Sequence, residues 1–151
     1  MSKNRKKYAV NAFDELIYEL EHHVGKSNAL SILVKMLNEN DNEFPGLKDC
    51  FIHDMNKFLS HWFKLVNDTN KLPSNLRAKI VSRDFMEHYY SSDFNRFTVF
   101  CYDKIDKKVN PFTNHLMARD IINYTLCVIK AVIQYTRCSL GYDANGLKYI
   151  N

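Results

Sequence analysis

Four glycines and three prolines are the only strong helix breakers in 151 residues, and this shortage constrains the fold more than any other feature of the chain. A β-sandwich needs a turn signal roughly every 8–12 residues, so the sequence points to long helices. Hydrophobic residues make up 46% and aromatics 13%, which excludes a disordered or collagen-like chain. The expected fold is an all-α helical bundle of roughly four to six helices with a long C-terminal helix. One helical domain is expected over 1–151, with a basic tail at 1–7 and a peripheral tail at 142–151.

Apolar spacing locates the helices. Val10, Phe13, Leu16, Ile17, Leu20 and Val24 recur at steps of three and four, which places them on one helical face. Gly25 supplies a stop, and Ser27 is the expected N-cap of a second helix carrying Ile32, Leu33, Met36 and Leu37. That helix is expected to dissolve into the polar stretch Asn38 to Asn42. After Pro45-Gly46 a third helix bears Phe51, Ile52, Met55, Phe58, Leu59, Trp62, Phe63 and Val66, the strongest amphipathic signal present and the expected central wall of the core.

Asp68 to Ser74 reads as a loop, followed by a fourth helix through Leu76, Ile80, Val81 and Phe85. Between Ser91 and Val109 two readings stand. Phe97, Val99 and Cys101 alternate like a strand, whereas Phe94, Phe97, Phe100 and Tyr102 suit a helical turn. Thr113 is the expected cap of a last long helix, with Leu116, Met117, Ile121, Ile122, Leu126, Ile129, Val132 and Ile133, ending at Gly141.

The formal charge of +4 permits binding to a polyanion such as RNA without requiring it. Cys50, Cys101, Cys127 and Cys138 form no C-x-x-C pair, so reduced thiols in a cytoplasmic protein are expected. The most apolar stretch, near Ile121 to Tyr135, is interrupted by Asn123, Lys130 and Gln134, and no membrane segment is expected.

Few constellations can carry chemistry. No glycine-rich phosphate loop, G-x-S-x-G elbow or H-E-x-x-H pair occurs. Glu19 and His22 form one E-x-x-H with no second copy, which suits a charged outer face better than a di-iron site. His53 and His61, eight apart on the third helix, read as packing or surface histidines, and no metal or cofactor is expected.

One stretch stands apart, Arg83-Asp84-Phe85-Met86-Glu87-His88. It has the parts for metal-free cleavage of RNA. A neutral imidazole can take the proton of a ribose 2′-hydroxyl, and a guanidinium can hold the scissile phosphate as charge grows on its oxygens. Asp84 and His88 are i and i+4, so on a helix the carboxylate can orient the imidazole. Arg83 then points about 140° away from His88. A bend in the helix, or a second copy facing the first across a two-fold axis, would bring the two together.

The motif Arg83-Asp84-x-x-x-His88, in a small helical chain with one long final helix, resembles the HEPN superfamily. That resemblance implies a helical bundle that commonly forms a homodimer. It also implies metal-independent endoribonuclease activity through an R-polar-x-H motif, often as the toxin of a toxin–antitoxin or antiphage system, with an antitoxin protein as partner. Arg83, Asp84 and His88 would be catalytic. Tyr89, Tyr90 and Arg96 would contact RNA, and Phe94 and Phe97 are further candidate stacking rings.

Each residue also has a structural reading. Arg83 can pair with Glu87 at i+4, and His88 can pack with Tyr89 and Tyr90. The rival function is a non-enzymatic helical interaction module, whose warrant is the aromatic-rich helix around Trp62.

Overall fold

The computed structural model describes residues 12–25, 27–69, 71, 93–105 and 111–140. Among these residues five α-helices and no strands are present: α1 (Ala12–Val24), α2 (Asn28–Asn40), α3 (Leu47–Thr69), α4 (Asn95–Phe100) and α5 (Pro111–Leu140). The expected all-α bundle with a long C-terminal helix is observed.

Local chemistry explains most boundaries. Gly25, at φ +64°, follows the last residue of α1 and adopts the left-handed conformation that a side chain resists. Ser27 caps α2, its Oγ accepting the Leu30 N–H at 3.3 Å. The polar stretch is less disruptive than expected: α2 runs through Asn38 and Glu39 to Asn40, whose side-chain amide donates to the Met36 carbonyl at 2.7 Å. Likewise α3 extends to Thr69, into the expected loop. Helix α5 starts at Pro111 rather than at a Thr113 cap, because the fixed φ of proline suits a first helical position where no N–H partner is needed.

Where it is described, at 95–105, the ambiguous region is helical. Phe94, Phe97, Cys101 and Ile105 are all buried, and their steps of three and four put them on one face. Val99 and Tyr102 are exposed, against the strand alternation. Helix α4 continues directly into a π-helical turn at Cys101–Ile105, and the Cys101 N–H is shared between the carbonyls of Phe97 and Thr98.

The core cluster draws on every helix. Helix α5 packs against α1, α2 and the π turn, while α3 packs against α1, α2 and α4. Aromatic rings run through it: Phe13 on Phe51, Phe51 on Phe97, and Phe58 between Phe94 and Trp62, with centroids 5.5–6.5 Å apart. The Trp62 indole reaches across to α5, donating to Thr136 Oγ1 at 3.0 Å, and that hydroxyl in turn donates to the Val132 carbonyl. The third helix thus forms the wall its sequence indicates. No described helix is long and apolar enough to cross a membrane.

Candidate functional site

Of the residues singled out from sequence, Arg83, Asp84, His88, Tyr89 and Tyr90 lie outside the described residues. Arg96 is described, and sits exposed on α4 beside Cys50. Phe94 and Phe97 are 1% exposed. Both belong to the core, so they are excluded as rings for base stacking. The warrant for the interaction module also changes, because Trp62 is fully buried and the aromatic face of α3 is consumed by the protein's own packing.

The same helix α3 holds two histidine–carboxylate pairs. His53 Nδ1 lies 2.9 Å from Asp54 Oδ1, and His61 Nδ1 lies 2.8 Å from Asp93 Oδ1. In both, the imidazole is about half exposed (53% and 49%) and the carboxylate is buried (2% and 1%). Where the carboxylate is ionised it can only accept, and Nδ1 is the donor in the pair. Nε2 is then the nitrogen left to exchange a proton with a substrate.

The two carboxylates differ in what else they do. Asp54 uses its second oxygen to accept the Phe97 backbone N–H at 2.6 Å, so it is committed on both sides. Asp93 has no second commitment: its Oδ2 is buried without a hydrogen-bond partner among the described residues. A buried carboxylate serving one half-exposed imidazole is the arrangement that holds the ring of a general acid or base in one tautomer and orientation.

Sequence reading treated both histidines as surface or packing residues and did not single out Asp54 or Asp93. A signal existed for Asp54, which falls between Phe51, Met55 and Phe58 on the apolar stripe, where an unpaired charge is costly. Nothing local signals that Asp93 meets His61, 32 positions away.

Other candidates are weaker. Glu19 and His22 are both exposed, with His22 Nδ1 on the Tyr18 carbonyl at 2.9 Å. Among the described residues no three His, Cys, Asp or Glu side chains cluster as metal ligands. Burial pushes the Cys50 thiol up in pKa, and the neighbouring Arg96 guanidinium partly offsets this. No protein-family model, curated protein or solved structure matches the chain.

Proposed function

We propose that this chain is a HEPN-like, metal-independent endoribonuclease. His88 takes the proton of a ribose 2′-hydroxyl, Arg83 clamps the scissile phosphate and Asp84 orients His88. Tyr89, Tyr90 and Arg96 engage the RNA. The product is a 2′,3′-cyclic phosphate, and a homodimer supplies the convergence of Arg83 and His88 that one straight helix does not allow. A toxin held in check by an antitoxin protein in the cytoplasm is the biological setting that fits this activity.

The supporting observation is His61 on Asp93: an oriented, half-exposed imidazole at the point where the motif-bearing segment rejoins the described fold. Asp93 follows His88 by five positions, a span of at most about 18 Å at full extension. Asp93, though not His61, is thus close to the motif in the chain.

The test is degradation of total RNA by the purified protein in EDTA. Wild type is expected to cleave, and His88→Ala and Arg83→Ala to leave the RNA intact. Identical RNA patterns with wild type and His88→Ala would remove the catalytic reading.

A further inference from the structure

We infer that His61 is a phosphoryl-acceptor residue, taking a phosphoryl group on Nε2 from a donor of the phosphoramidate or acyl-phosphate class. This goes beyond the nuclease reading and does not rest on it.

Three features of the described structure meet at this ring. Nδ1 is held 2.8 Å from Asp93 Oδ1, which fixes the ring and leaves Nε2 of a half-exposed side chain as the nitrogen open to a reagent. Asp93 itself is buried, and its Oδ2 has no hydrogen-bond partner among the described residues. A carboxylate so placed favours positive charge on the imidazole beside it. Finally, exposed Lys57 at i−4 and Lys64 at i+3 flank His61 on α3, about 6 and 4.5 Å along the helix axis. Both side chains are long enough to bring an ammonium group to the oxygens of a phosphoryl group on Nε2.

His53 lacks this setting. Its neighbour at i−4 is exposed Asp49, which repels an incoming anion, and its partner Asp54 is shared with the Phe97 N–H. Around His61 the i−4, i−3, i+3 and i+4 positions are Lys57, Phe58, Lys64 and Leu65. The nearest exposed acid on α3, Asp68, lies about 10 Å along the axis.

In the transfer, the Nε2 lone pair forms a bond to phosphorus while the bond from phosphorus to the donor's nitrogen or carboxylate oxygen breaks, its electron pair leaving with that atom. The proton on Nδ1 stays in place, so the product ring is cationic and rests against Asp93. A buried carboxylate stabilises that charge as it develops. Nothing is oxidised or reduced. Asp93 does not touch the phosphoryl group and is a positioning residue.

The experiment treats the folded protein with phosphoramidate and maps the phosphate by mass spectrometry and by phosphorus NMR, which separates the Nε2 isomer from the Nδ1 isomer. Phosphate is expected on Nε2 of His61, formed roughly 10- to 100-fold faster than on His22 or His53, the range a carboxylate partner confers on a working imidazole. In urea, where the chain is unfolded, the preference for His61 is expected to vanish. Asp93→Asn keeps an acceptor for Nδ1 without the charge and is expected to slow the reaction by roughly 10- to 100-fold. Asp93→Ala frees the ring, so the Nδ1 isomer is expected to appear. Replacing both exposed lysines, Lys57→Gln with Lys64→Gln, is expected to slow it by about 3- to 10-fold, the size of surface electrostatic effects. This pair carries the test where circular dichroism shows that an Asp93 variant has lost its helical fold.

Phosphate spread evenly over His22, His53 and His61 in the folded protein would overturn the inference, as would none on His61. A rate on His61 that neither folded Asp93→Asn nor the lysine pair changes would overturn it too. RNA cleavage in EDTA reads the nuclease separately: His61 phosphorylation without cleavage would leave this inference standing and remove the nuclease reading, and cleavage without phosphorylation would do the reverse.

Discussion

Asp54 on α3 caps α4 from a different helix, its Oδ2 accepting the Phe97 N–H at 2.6 Å. Phe97 is the third residue of α4, where an N–H has no partner within the helix. The residue at the N-cap position is Phe94, which has no side-chain oxygen to offer. A carboxylate at the positive end of a helix is favourable, and this one also pins α4, and with it Arg96, onto the central helix.

Asp54→Ala is therefore expected to destabilise the fold by about 2–4 kcal/mol, since it strands a buried N–H and removes a charge-assisted bond. Asp54→Asn keeps an acceptor and should cost less than half as much. Urea unfolding followed by helical circular dichroism measures both. Equal stability of Asp54→Ala and wild type would mean that the cap contributes nothing.

The Trp62 to Thr136 bond joins α3 to α5 through the only tryptophan in the chain. Thr136→Val leaves the buried indole N–H without its acceptor, at an expected cost of about 1–3 kcal/mol. The effect should be smaller in a Trp62→Phe background, where no indole remains to be stranded. A double-mutant cycle from denaturant unfolding is expected to give a coupling of about 1 kcal/mol.

Burial pushes the Cys101 thiol up to about 12, with the nearby Cys50 adding to the shift. A raised thiol pKa means that the folded state resists ionisation. The stability this represents is fully present below the ordinary value of 9.0 and is lost as pH rises from there through about 12. Each pH unit in that window is expected to cost up to about 1.4 kcal/mol at this site. Cys101→Ala should flatten the alkaline limb of the stability curve. At about pH 8 an alkylating reagent should modify exposed Cys127 promptly and Cys101 only as the protein unfolds.

Much of the fold was legible because its signals are local. The stripe from Phe51 to Val66, the stop at Gly25 and the cap at Ser27 all depend on residues within a turn or two of one another. The segment at 95–105 resisted reading for an equally physical reason. Its apolar residues satisfy period two over Phe97, Val99 and Cys101, and helical spacing only when Phe94 and Ile105 are included. The π turn then shifts the period within the same segment. The His61 and Asp93 pairing was illegible because it is a tertiary contact, set by how α3 meets the segment before α4. The motif at Arg83 to His88 is legible as a pattern and lies outside the described residues.

A composite site predicts complementation between inactive variants. If Arg83 of one protomer serves His88 of the other, a mixed dimer of Arg83→Ala and His88→Ala retains one intact site. An equal mixture allowed to exchange subunits should recover about a quarter of wild-type cleavage, since about half the dimers are mixed and each has one working site of two. Activity that stays at the level of the single variants would place both groups in one protomer.

The most direct measurement of the central claim is cleavage of one oligoribonucleotide in EDTA beside the same oligomer carrying a single 2′-deoxy residue at the cut site. The account predicts that the all-ribose strand is cut to a product ending in a 2′,3′-cyclic phosphate and that the substituted strand survives at that position. Equal cutting of both strands, or of neither, would contradict attack by the 2′-hydroxyl.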